Sequence, residues 1–231
     1  MKSIKLILLI SALALASCKI EKTVVTNSEE DKINVELKKE LEGILQMDQG
    51  IREIVNGDLS GERKAELLKK MDLNERDIEG NKLYSEMRKI DSINLIKVES
   101  VIKVHGYPGK ALVGEPANQA VFYVIQHSDK IDQYLPLITK AAEEGEISKT
   151  SLAMMEDRNL MDNGLEQIYG TQIKGKANKD GKWIFFLWPV KNPETINILR
   201  KNVGFDRTIE EYLEAMDVDS KFYKLNEIDD L

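Results

Sequence analysis

Apolar residues recur at three- and four-residue intervals along most of this chain, the spacing that gathers them on one face of an α-helix. Ile33, Leu37, Leu41, Ile44 and Leu45 mark the first such face. Ile51 to Val55 marks a second, which stops at Asn56-Gly57. Glu62 to Met71 follows, with Leu67, Leu68 and Met71 on one side, and Asp72 to Gly80 is a polar break. Lys82 to Val104 carries Leu83, Met87, Ile90, Ile93, Val98, Val101 and Ile102, which predicts a long amphipathic helix. It stops at His105-Gly106-Tyr107-Pro108-Gly109, where glycine and proline cannot continue it.

From Ala117 to His127 the residues are nearly all apolar, the pattern of a helix buried on every side. A further helix covers about Gln133 to Glu144, with Pro136 tolerated in its first turn and Gly145 as its stop. Ser148 suits the N-cap of a helix from Lys149 to about Asn159. Asn192-Pro193 opens another and Gly204 closes it, and Thr208 with Glu211 forms a capping-box pattern ahead of Tyr212 and Leu213. One stretch breaks the helical period. Thr171 to Lys174 and Trp183 to Trp188 are rich in β-branched and aromatic residues, and Asn178-Lys179-Asp180-Gly181 between them suits a turn. The fold class is therefore mainly α with a small β-hairpin in the C-terminal third, an α+β arrangement. The Trp183–Trp188 run reads as core, and the acidic residues of the first helices as a solvated face.

The first eighteen residues change the picture. Lys2 and Lys5 precede an apolar run through Leu15 that is too short for a comfortable membrane span, and the run ends Leu15-Ala16-Ser17-Cys18. This resembles the lipobox of bacterial lipoproteins, and the resemblance implies cleavage before Cys18 and acylation of that residue. Acyl chains bury about 0.8 kcal/mol per methylene, enough in combination for stable anchoring. Lys19, rather than an aspartate, follows the cysteine, which by the same resemblance favours the outer membrane of the bacterial envelope. The expected organisation is a signal peptide over 1–17, a polar tether over 18–32, a helical extension over 33–80 and a main helical domain with the hairpin over 81–231. Cys18 is the only cysteine, so no disulfide forms within one chain. The formal charge is −7, and losing Lys2 and Lys5 makes the remainder more acidic. That argues against nucleic acid as a partner, which needs a basic surface.

Few residues carry obvious chemistry. Two histidines and a lipidated cysteine make a zinc site improbable, and no metal or cofactor is expected. The Asn178–Gly181 loop fails as an EF-hand, because aligning Gly181 puts Lys176 and Leu187 where carboxylates belong. No phosphate-binding glycine loop and no Gly-x-Ser-x-Gly elbow occurs. What remains is four polar motifs at the ends of apolar segments: His105-Gly106-Tyr107-Pro108-Gly109, Gln126-His127-Ser128-Asp129, Glu156-Asp157-Arg158 and Tyr169-Gly170-Thr171-Gln172. Their order resembles an uncharacterised bacterial family, a domain of unknown function, from about Lys82 to Met216. The resemblance implies one domain and carries no activity with it.

Convergence of these motifs on one cleft would make a site. His127 is suited to proton transfer near neutral pH, with Asp157 orienting it or acting as base. Arg158 offers a planar fork for a carboxylate or phosphate, Tyr169 and Gln172 offer polar contacts, and His105 and Tyr107 would form an opposite wall. Structural roles compete with each of these. His127 could satisfy the last carbonyls of its helix, Asp157 and Arg158 could be a buried ion pair, and Tyr169-Gly170 could be only a turn. The leading expectation is a lipid-anchored envelope protein whose helical domain binds a small polar ligand or a protein partner. The rivals are an envelope hydrolase using His127 and Asp157, and a structural or assembly lipoprotein.

Overall fold

Side-chain caps at Asn34, Ser60, Ser148 and Thr208 fix where several of the helices begin. The computed structural model describes residues 33–57 and 59–230. Cys18 and the expected signal peptide and tether lie outside the described residues. Helix α1 (Val35–Asn56) begins at Asn34, whose side chain accepts from the Leu37 N–H, and ends at Gly57 with φ 76°. The two apolar faces before Asn56 thus belong to one helix of 22 residues. The polar interval between them, Asp48-Gln49-Gly50, lies within it, and Asp48 and Gly50 are buried. Gly50 lets the next helix approach, since a Cβ there would lie 2.6 Å from the Met71 Cε and 3.1 Å from the Leu67 Cδ2.

Ser60 caps α2 (Gly61–Lys70), and the polar break holds one 3-10 turn, Glu75–Ile78, closed by an Asn74–Asp77 capping box. Helix α3 (Lys82–His105) stops at Gly106. A short α4 (Lys110–Val113) and a 3-10 turn, Ala117–Gln119, lead into the buried α5 (Ala120–Gln126). Helix α6 (Ile131–Glu143) starts before Gln133, so Pro136 stands inside the helix rather than in its first turn. Ser148 caps α7 (Lys149–Asp162). The hairpin pairs β1 (Ile173–Ala177) with β2 (Trp183–Leu187) antiparallel, from Ile173 opposite Leu187 to Ala177 opposite Trp183. The Asn178 side chain accepts from the N–H groups of Asp180 and Lys182 and so shapes the turn. Helices α8 (Ile196–Val203) and α9 (Ile209–Ala215) close the fold, the latter with the Thr208–Glu211 capping box. The fold is mainly α with one two-stranded sheet.

Packing adds detail to two expectations. Residues 33–80 pack against the helices that follow them. Leu37, Leu41 and Ile44 of α1 share a core with Val98, Val101, Phe122 and Ile138, because α1 carries apolar residues along its whole length and α3 and α5 pack against it. The far end of α1 packs Ile51 and Ile54 on Leu67, Leu68 and Ile90. The aromatic run is also only half core. Phe186, Leu187 and Trp188 are buried, whereas Trp183 and Phe185 are about 60% exposed, as alternation along a strand with one free face requires. A third cluster joins Leu187 and Val190 to Ile196, Ile209 and Leu213. Among the described residues no helix is long and apolar enough to cross a membrane.

Candidate functional site

Two fully buried carboxylates stand at the centre of two polar clusters, one where α1, α3 and α5 meet and one where α7 meets the turn before the hairpin. The first is Asp48. Its position follows from helical spacing, because Leu41, Ile44, Asp48 and Ile51 fall on the same inward face of α1. Its Oδ1 lies 3.2 Å from the His127 Nδ1 and accepts from the Arg52 Nη1 at 3.2 Å, and its Oδ2 accepts from the Gln49 Nε2 at 2.7 Å. Arg52 also donates to the Asp48 backbone carbonyl and, through Nη2 at 2.9 Å, to Asp91 of α3. One arginine therefore serves two carboxylates, and the network ties three helices.

His127 caps the C-terminal end of α5, and its backbone N–H bonds the Tyr123 carbonyl. The Tyr123 ring, one turn earlier, lies roughly parallel to the imidazole at 6.4 Å between centres. With Asp48 accepting at Nδ1, that nitrogen carries a proton, an assignment from the bonding pattern. Nε2 makes no hydrogen bond among the described residues and is not a sealed atom. Gln49 and Tyr123, which touch the pair, also line a shallow groove of about 420 Å³ with Gln46 and Gln119. Burial and the Asp48 charge both push the Tyr123 hydroxyl above its ordinary range.

The second carboxylate is Asp157 on α7. Its Oδ1 accepts from the Ile168 and Tyr169 N–H groups at 2.7 and 3.0 Å, and its Oδ2 accepts from the Thr171 N–H and Thr171 Oγ1, each at 3.0 Å. Burial pushes the Asp157 carboxyl up, and these donors pull against that. Gly170 occupies the middle of the turn at φ 68°, where a Cβ would lie 2.7 Å from Ile209. Gln167 completes the frame, donating to the Gln172 and Trp188 carbonyls and accepting from the Gln172 N–H. Beside it, burial pushes the Glu156 carboxyl up, and the Tyr169 hydroxyl pulls it back.

The structure distributes the residues singled out in the sequence. The carboxylate beside His127 is Asp48, not Asp157, because Asp157 spends both oxygens on the turn. The last carbonyls of α5 are not what holds the imidazole. Asp157 and Arg158 form no ion pair among the described residues, and the Arg158 Nε is buried without a partner. Tyr169 contributes its backbone N–H to Asp157, while the Gln172 side chain donates to the Met154 carbonyl and Thr171 Oγ1. Tyr107 donates to the Asn118 carbonyl at 2.6 Å, and His105 is exposed at the end of α3. Sequence reasoning missed Asp48, Arg52 and Asp91. The available signal was an acidic residue at an inward position of an apolar helical face, where a solvated carboxylate does not belong.

No group of three or more His, Cys, Asp or Glu side chains among the described residues is arranged to hold a metal ion. No curated protein and no solved structure matches the chain. A family model does, over residues 70–225, a span that includes Asp91, His127 and Asp157 and begins after Asp48. By that match the chain belongs to the family of unknown function DUF6624.

Proposed function

We propose that this chain is a lipid-anchored protein of the bacterial envelope, held at the outer membrane through Cys18, and that its helical domain performs general acid–base chemistry on a small polar ligand. The Leu15-Ala16-Ser17-Cys18 pattern supports the anchor. The observation that carries the chemistry is the 3.2 Å contact between the Asp48 Oδ1 and the His127 Nδ1, with Nε2 left unbonded among the described residues. A buried carboxylate on one imidazole nitrogen fixes the ring and tautomer and supports the positive charge that forms when the other nitrogen takes a proton. Gln49 and Tyr123, which neighbour the pair, line an adjacent groove that His127 itself does not line, with Leu45 and Pro116 among its apolar walls. In a hydrolysis, Nε2 takes a proton from water as its oxygen adds to the electrophilic centre, then returns that proton to the leaving group. Asp48 thus replaces Asp157 as the partner of His127.

A bracing role is the second reading, favoured by Arg52 reaching both Asp48 and Asp91. Hydrolysis of p-nitrophenyl acetate by the purified chain separates the two. The acid–base reading expects a rate above background that falls in both His127→Gln and Asp48→Asn while each variant melts cooperatively. Equal rates in the parent and both variants would overturn it.

A further inference from the structure

The turn organised by Asp157 borders a cation that has no carboxylate of its own. Arg200, on α8, is 3% exposed. Its Nε donates to the Arg207 carbonyl at 3.0 Å and its Nη1 to the Tyr169 carbonyl at 2.9 Å. Its guanidinium lies 4.7 Å from the centre of the Phe205 ring and 5.3 Å from that of Tyr212. Among the described residues it forms no salt bridge. Burying a charge is costly unless it is paired, and here two neutral carbonyls and two ring faces meet the guanidinium directly, while the Asp157 and Glu210 charges act on it without a salt bridge.

The free part of the fork has somewhere to point. The Arg200 Nη2 makes no hydrogen bond among the described residues. It is also not one of the sealed, unpartnered atoms, which among the described residues are the Asn118 Oδ1 and the Arg158 Nε. It therefore reaches accessible space. Arg200 also lines a cavity of about 270 Å³, together with Met154, Thr171, Phe205, Arg207 and Tyr212. Asp206 also lines it and, like Arg207, is exposed. The Tyr212 hydroxyl donates to the Thr171 carbonyl, so these two lining residues are tied to each other.

We propose that this cavity binds the oxyanion group of a small ligand, a carboxylate or a phosphate, with the Arg200 Nη2 as direct donor and Arg207 as a second cation toward solvent. The guanidinium is a planar donor array suited to both groups, and it is already desolvated and immobilised, so little ordering remains to oppose binding. Met154 and Phe205 favour a short apolar part next to the anion. The volume is below the usual range for drug-sized molecules, which points to a small acid or the terminal group of a longer one. This site is separate from His127, and its test does not depend on catalysis.

Sodium acetate and inorganic phosphate, each titrated at constant ionic strength, are the two arms. The readout is the arginine side-chain and backbone ¹⁵N–¹H spectrum of the full chain. The expected result is a saturable shift of the Arg200 guanidinium and the Thr171 amide with at least one anion, and the arm that saturates at lower concentration identifies the chemistry. Arg200→Lys keeps the charge but loses the fork, and should weaken binding about tenfold or more. Arg207→Gln should weaken it less. If Arg200→Lys does not fold, phenylglyoxal labelling of the parent chain decides: either anion must slow modification of Arg200 while leaving the exposed Arg76 unaffected. Absence of a saturable shift with both anions, undiminished binding in a folded Arg200→Lys, or labelling of Arg200 indifferent to anion would overturn the proposal.

Discussion

Asp48 and Asp157 are equally buried, at 0% exposure, yet they are held in opposite ways. Asp157 meets backbone N–H groups of a turn fixed by Gly170 and Gln167. Those donors cannot leave without unmaking the turn. Asp48 meets side chains: an imidazole, a guanidinium and an amide from two helices. Those donors can rotate, exchange protons or turn toward a ligand without breaking a helix. A carboxylate satisfied by backbone is part of the frame, whereas one satisfied by a histidine with a free far nitrogen is available for chemistry. The contrast is why Asp157, the more conspicuous residue in the sequence, is the poorer candidate for the acid–base role.

The strongest way to break this comparison is Asp157→Ala. It strands three buried or half-buried N–H groups and the Thr171 hydroxyl at once. Each unsatisfied buried donor costs about 1–3 kcal/mol, and partial hydration of the half-buried ones leaves an expected loss on the order of 3 kcal/mol. Urea denaturation measures it. Stability within error of the parent would show that the turn stands without its carboxylate and remove the claim that Asp157 belongs to the frame.

Asp48→Asn should cost less, about 1 kcal/mol, because an amide oxygen still accepts one bond and Arg52 keeps Asp91. The same urea measurement checks it. A loss as large as that of Asp157→Ala would make Asp48 a framework residue too and favour the bracing role for His127.

How far these sites could be read from sequence depends on what places them. Helix starts at Asn34, Ser60, Ser148 and Thr208 rest on side chains that cap within three residues, and a capping pattern of that reach is visible in the chain. Of these, Ser148 and Thr208 were picked out. The hairpin was equally plain, since alternating aromatic residues and an Asp-Gly turn are short-range signals. Joining Ile33–Leu45 to Ile51–Val55 was not, because Asp48 and Gly50 look like a break until α2 and α5 are known to pack there. The partnership of Asp48 with His127 spans 79 positions and depends on how three helices cross. The motif Glu156-Asp157-Arg158 invited an ion pair between neighbours, but successive positions on a helix point about 100° apart and face different surroundings. Arg200 gave no sign, because its cavity is made by Phe205, Arg207 and Tyr212 folding back from the next turn and helix.

The smallest expected effect sharpens the comparison through pH. Burial raises the Asp157 carboxyl above its ordinary value. A carboxyl with a higher pKa in the folded than in the unfolded chain binds more protons when folded between the two values, so stability falls as pH rises through that window. The contribution is fully present below the unfolded value and is lost once pH has passed the folded one. Asp157→Asn removes the titrating group while keeping the shape. The difference in unfolding free energy between parent and Asp157→Asn should therefore shrink as pH rises from below the ordinary aspartate range, then level off. Paired urea titrations at several pH values provide the measurement. A difference that grows with pH over the same window would mean that the turn's N–H groups, rather than burial, set the carboxyl. The frame would then be held by the charged form, and Asp157 would anchor its turn most firmly at neutral pH.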